Sequence, residues 1–426
     1  MASRLPGLVL RDHVFSPPLD HDDPGGECIS LYAREVVAPG REDAALPWLC
    51  FLQGGPGGKA PRPAQRSGWL ARALEDYRVL LLDQRGTGRS TPATRQTLPA
   101  RGDAEAQARY LRHFRADAIV RDAEHVRRRL AGEQERWSVL GQSYGGFCVV
   151  RYLSAAPEGL REAFVTGGLP SLERPVDDVY RATYARVLAS NEEHERRYPG
   201  DRRRAAEVAE HLLAHDVRLP SGDPLTAERF QALGLALGAR DGFERLHYLL
   251  EEAWLPAGAG REISEGFLWA AEAELTFAAN PLYAVMHESI YCQEEASRWS
   301  AQRLRDELPQ LDPRARPFCF TGEMIYPWMF ELDAALRPLR PVAELLAAEA
   351  GWPRLYDLER LRRNEVPCAA VVYHGDMYVP AELSLETAAR IGRLRLWVTN
   401  EHEHDGLRQS GERVLGRLIE LARGDA

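Results

Sequence analysis

The pentapeptide Gly141-Gln142-Ser143-Tyr144-Gly145 constrains the fold more than any other stretch of the chain. An apolar run, Trp137 to Gly141, leads into it, and a helical pattern through Val149 and Arg151 leads away, so the chain turns from strand to helix over a few residues. Glycines on either side of the serine remove side chains that would collide where strand and helix meet. The Ser143 hydroxyl is then left exposed above the end of the strand. Strand followed at once by helix is the unit of a parallel sheet covered on both faces. The expected fold class is therefore α/β, a mostly parallel central sheet with helices on both sides.

The same alternation extends outward from this turn. Cys28 to Val37, Pro47 to Gln53, Arg78 to Asp83 and Glu162 to Thr166 read as further strands, and Ala104 to Leu130 as a helix or helix pair with Leu111, Ile119, Val120 and Val126 on its apolar stripe. From about Pro170 to Leu345 the pattern becomes helical throughout, with Arg, Glu, Ala and Leu dominating. Strand signals return at Ala369 to Tyr373 and Leu394 to Val398, and Glu412 to Ala422 closes the chain as an amphipathic helix. The expected organisation is a sheet domain in two parts, 1–169 and 346–426, interrupted by an all-helical block at 170–345.

Charge and composition exclude several function classes. A net charge of −9 leaves no basic surface for phosphate backbones, and the Arg202-Arg203-Arg204 and Arg127-Arg128-Arg129 runs lie in mixed-charge helical segments, so nucleic acid is not an expected partner. No long apolar window suggests a membrane span, and the first residues lack the pattern of an export signal. The six cysteines are scattered singly, which suggests neither a zinc site nor a disulfide framework and fits reduced thiols in a cytoplasmic setting.

A serine hydroxyl attacks well only when a base takes its proton and an acid orients that base. Asp376 follows the strand Ala369 to Tyr373, and His404 follows the strand Leu394 to Val398, giving the order Ser, acid, His that α/β-hydrolases use. His402 is the rival base; His404 is preferred because it adjoins the Gly406 turn into the last helix. The glycine-rich segment Gln53-Gly54-Gly55-Pro56-Gly57-Gly58 follows a strand where an oxyanion loop belongs, so the N–H groups of Gly55 and Tyr144 are the expected donors. A phosphate-binding reading of that loop fails, since Gln53 and Ala60 stand where a P-loop needs glycine and a hydroxyl residue. No metal or cofactor is expected.

Gly54-Gly55-Pro56-Gly57, Asp83-Gln84-Arg85-Gly86-Thr87-Gly88-Arg89-Ser90 and Gly141-Gln142-Ser143-Tyr144-Gly145-Gly146 together resemble the proline iminopeptidases, also called prolyl aminopeptidases, in their longer bacterial form. The resemblance spans essentially the whole chain and includes the Asp376 and His404 positions. It implies an α/β-hydrolase with a helical cap whose acidic residues hold the free amine of a peptide substrate. Glu288 and Glu323 match those positions, among Tyr283, Tyr291, Tyr326, Trp328 and Phe330. The implied partner is a peptide with a free N-terminal proline. Gln53 departs from the pattern, since shorter members carry His there. An esterase, an amidase or another aminopeptidase would use the same scaffold, and a non-catalytic binding protein could keep it.

Overall fold

The computed structural model describes every residue except Met1, Ala259 and Ala426. Its strands are β1 (Ala2–Leu5), β2 (Leu8–Phe15), β3 (Leu31–Val37), β4 (Trp48–Leu52), β5 (Arg78–Leu82), β6 (Trp137–Gln142), β7 (Leu160–Thr166), β8 (Trp254–Ala257), β9 (Gly260–Ile263), β10 (Cys368–Tyr373) and β11 (Leu394–Thr399). Nine of them form one sheet in the order β1-β2-β3-β5-β4-β6-β7-β10-β11. From β5 to β11 every neighbouring pair is parallel; the β1, β2 and β3 edge is antiparallel.

Strands in the middle of the sheet are apolar without alternation because both faces are covered. All six residues of β10 are buried, and β5 is buried from Val79 to Leu82. On one face, the helices Gly68–Asp76 and Gly411–Arg423 bury Leu70, Leu74, Val414, Leu415, Leu418 and Ile419 against Phe51, Leu81, Leu140 and Val371. Each such aliphatic side chain contributes roughly 1.5–3 kcal/mol of transfer free energy. On the other face, Ala116–Leu130 and Tyr144–Ala155 bury Ile119, Val126, Phe147 and Val150 against Val139, Ala163 and Val372.

Between β7 and β10 the chain builds a separate apolar cluster from helices that include Val176–Arg197, Asp201–Ala214, Gly242–Glu251 and Glu265–Leu275. This stretch is not all-helical, contrary to the expectation from its composition: β8 and β9 pair as an antiparallel hairpin. Both strands are four residues long and mostly exposed, so no alternating apolar pattern marks them. Of the helix or helix pair expected over Ala104 to Leu130, the structure forms the pair, joined at Arg112–Phe114, and its first part, Ala104–Leu111, buries Ala108, Tyr110 and Leu111 in this same cluster. The edge strands β1 and β2 are additional to the expected set.

Candidate active site

Ser143 stands at the exit of β6, and the turn there is strained. Its φ of 55° and ψ of −125° lie outside the regions a residue with a β-carbon prefers, a distortion held by the packing around it. Its N–H donates to the Thr166 carbonyl at 2.9 Å, and its own carbonyl accepts from Gly146 N–H at 2.7 Å. A β-carbon added at Gly145 would lie 1.9 Å from the Leu52 carbonyl oxygen, so no other residue lets the helix start this close to β4.

The loops after β10 and β11 carry the expected acid and base. Asp376, 1% exposed, accepts from the Tyr378 and Val379 amides through Oδ1 at 2.8 and 2.9 Å. Its Oδ2 lies 2.7 Å from His404 Nδ1, which fixes the proton on Nδ1 and leaves Nε2 as the free, basic nitrogen. Burial pushes the His404 pKa down, but the charge and hydrogen bond of Asp376 outweigh it, and Glu323 adds to the rise above the ordinary value. His402 is also buried, yet neither ring nitrogen has a hydrogen-bond partner among the described residues, and burial lowers its pKa. Asp376 is thus brought to His404 and not to His402.

The glycine-rich loop passes directly beside the serine. A β-carbon at Gly54 would stand 2.9 Å from that of Ser143, so the start of the loop lies against the Ser143 side chain. Tyr144 opens its helix, and the first N–H of a helix has no intrahelical acceptor. Both expected oxyanion donors therefore belong to segments touching Ser143.

The two glutamates expected to bind the substrate amine are placed differently. Glu323 Oε1 accepts from the Tyr283 hydroxyl at 2.6 Å, and its backbone carbonyl lies 3.2 Å from His287 Nε2. Burial raises the Glu323 carboxyl to about 7, while the charge of His404 and the Tyr283 hydrogen bond oppose the rise. A β-carbon added at the neighbouring Gly322 would stand 3.3 Å from Met377 Cε, so the Glu323 segment packs on the loop that carries Asp376. Glu288 instead turns to the helix Ser300–Asp306: its Oε2 accepts from Ser300 N–H at 3.2 Å and its Oε1 from Ala301 N–H at 2.9 Å. Burial raises its pKa, and these amides with Ser297 oppose that rise.

Other residues of the site carried no sequence signal. Tyr378 packs edge-on to His404 with ring centroids 4.8 Å apart, and its hydroxyl donates to the Leu235 carbonyl of the cap. His404 N–H donates to the Gly238 carbonyl at 3.0 Å, so one cap segment holds both loops. Tyr180, wholly buried with its hydroxyl unpartnered among the described residues, feels the charge of both Glu288 and Glu323. Only the position of Tyr378, beside the expected acid, could have pointed to one of these.

The chain matches the α/β hydrolase fold family over residues 47–406. It is 49% identical over 421 residues to a proline iminopeptidase from Aeromonas sobria, covering 98% of each chain. It is 37% identical to a proline iminopeptidase from Aspergillus aculeatus, covering 96% of this chain and 92% of the relative. A solved structure of a proline iminopeptidase from Mycobacterium smegmatis aligns over 97% of this chain and 100% of its own, at 13% identity and a TM-score of 0.42.

Proposed function

The chain belongs to the proline iminopeptidases of the α/β-hydrolase fold family, and from that premise we propose that it releases N-terminal proline through an acyl-enzyme on Ser143. Ser143 Oγ attacks the prolyl carbonyl while His404 Nε2 takes its proton, and Asp376 steadies the imidazolium that forms. The oxyanion is received by the N–H groups of Gly55 and Tyr144. The tetrahedral intermediate collapses as His404 returns the proton to the leaving amine. A water molecule, deprotonated by the same imidazole, then attacks the acyl-enzyme and frees proline and Ser143.

The observation that carries this reading is the packing of the Glu323 segment on the two loops of the site: a β-carbon at Gly322 would stand 3.3 Å from Met377 Cε beside Asp376, and Tyr283, which donates to Glu323, lies against Gly57 of the glycine-rich loop. A half-buried carboxylate there attracts the cationic imino group of a chain end and forms a charge-assisted hydrogen bond with it. It thereby fixes the distance from the terminus to the bond under attack, which makes the enzyme an exopeptidase. In this reading, residues 170–345 act as the cap that carries Glu323. Glu288 stands behind it, fixing the helix Ser300–Asp306. The six cysteines, all unpaired, fit a cytoplasmic setting, and no described helix is long and apolar enough to cross a membrane.

A panel of prolyl, alanyl and N-acetylprolyl anilides tests the assignment. Free prolyl anilide is cleaved, and N-acetylation lowers kcat/KM at least about a hundredfold, because it removes the charge that Glu323 pairs with. Equal turnover of free and blocked substrates would make the enzyme an amidase or esterase instead.

A further inference from the structure

The segment Asp83 to Ser90, which immediately follows β5, contributes no group to the chemistry above, yet its side chains close on the loop that does. Gln84 Nε2 donates to the carbonyl of Gln53, the residue that begins the glycine-rich loop, at 3.0 Å. Asp83, fully buried, receives the far end of that loop: Oδ1 accepts from Ala60 N–H at 3.1 Å and from Arg62 Nη1 at 3.0 Å, and Oδ2 from Arg62 Nη2 at 2.5 Å. The segment itself is closed by Arg89 N–H on Asp83 Oδ2 at 2.9 Å and by Ser90 Oγ on the Asp83 carbonyl at 2.7 Å. Ser90 Oγ in turn accepts from Tyr32 N–H in β3 at 2.8 Å. The glycine-rich loop, which has few side chains of its own to pack, is thus clamped at both ends to a unit anchored in the sheet.

We propose that Gln84 and the Asp83–Arg62 pair are positioning residues that hold the Gly54-Gly55 backbone at the distance from Ser143 at which it receives the oxyanion. The proposal rests on the reading of Ser143 as nucleophile. A loop so rich in glycine has a large conformational entropy to lose, and a hydrogen-bond donor is useful to a transition state only where it is already in place. Gln84 Oε1 is buried with no partner among the described residues, so the amide is kept for its single donated bond rather than for a satisfied network.

That detail makes Gln84→Met a clean test. The substitution keeps the length of the side chain, and it removes the donor together with an unsatisfied buried acceptor, so the melting temperature is expected to stay within about 2 °C. If the loop is held by this bond, kcat on prolyl anilide falls about tenfold to a hundredfold while KM changes less than about twofold. A boronic-acid analogue of proline, which forms a tetrahedral adduct on the serine, weakens by the same factor, whereas the product proline binds as before. Arg62→Met leaves only the Ala60 N–H on Asp83 at the other end of the loop and gives a smaller fall of the same kind, about fivefold. Unchanged kcat in both variants, equal weakening of boronate and proline, or a loss matched by loss of folded protein overturns the proposal. Fluorophosphonate labelling of the wild-type protein separates the two levels. Absence of labelling at Ser143 removes the nucleophile assignment and this proposal with it. Labelling with unchanged variant rates removes the clamp alone.

Discussion

At the end of the sheet, Ser143, Asp376 and His404 each stand within a few residues of a parallel strand, whereas in the proposed cap Glu288 opens a single 3-10 turn and Glu323 stands in an irregular stretch. Parallel strands share one direction and end together, so loops that follow them converge, and groups distant in sequence meet by construction. The cap has no such register. There, identical side chains reach opposite fates: Glu323 accepts one tyrosine hydroxyl on one oxygen, and Glu288 is satisfied by two backbone amides at a helix start. A carboxylate already held by two amides has less to offer a substrate cation than one with an oxygen to spare.

The largest effect that sharpens this contrast is expected at the sheet end. His404→Ala should lower kcat on prolyl anilide at least about 10⁴-fold, the scale on which removal of the base disables such a site. His402→Ala, although it touches an equally buried imidazole, should change kcat less than about fivefold, because that ring reaches neither Asp376 nor any other described polar partner. A comparable loss in both variants would show that the loop after β11 works as a folded unit rather than through one base.

The same contrast governs what could be read before the fold was known. The strands β4, β5, β6, β7, β10 and β11 announce themselves as short apolar runs between turn residues, and their loops inherit positions from them, so Ser143, Asp376 and His404 could be proposed together. The edge strands β1 and β2 were not legible, since Arg11, Asp12 and His13 break the run in β2 and β1 is four residues long; β2 takes its place by pairing with β3, and β1 by pairing with β2. The cap hairpin β8–β9 was hidden by its brevity. For the cap glutamates, sequence supplied a resemblance and a set of aromatic neighbours. It could not show that Ser300 and Ala301, across a loop, would turn their amides on Glu288. Nor could it find Tyr180 or the Leu235–Gly238 segment, which are brought to the site by packing alone.

An intermediate effect is expected at Glu323. Glu323→Gln removes the charge but keeps an acceptor for Tyr283, and kcat/KM for free prolyl anilide should fall about thirtyfold, near the roughly 2 kcal/mol by which a charged hydrogen bond exceeds a neutral one. The pH profile gives an independent check. Glu323 must be ionised to hold a cation and His404 must be neutral to accept a proton, and both pKa values lie above their ordinary positions, the glutamate at about 7. Activity therefore declines as the pH falls through about 7. Because the Glu323 charge helps to raise His404, the acid limb of Glu323→Gln should move to lower pH as well as lose its steeper, two-proton form. An unshifted limb would mean that Glu323 does not sense the base.

The smallest effect on turnover is expected at Glu288. Glu288→Gln leaves one carbonyl oxygen to serve two amides, so one helix-start donor is left short, and stability should fall about 1 kcal/mol, as measured by urea denaturation. kcat/KM should stay within about threefold of wild type. The pH dependence has a definite sign. Burial holds the Glu288 carboxyl above its ordinary value, so the folded state keeps the proton longer than the unfolded state does. Wild-type stability from this group therefore declines as the pH rises through the interval between the two pKa values, and the variant lacks that decline. The gap between the two proteins should be widest below that interval and narrower above it. A fall in kcat/KM as large as that of Glu323→Gln, with stability unchanged, would erase the contrast between the two glutamates: the carboxylate would then have to leave the helix start to reach the substrate amine, and the cap would have to change shape on binding.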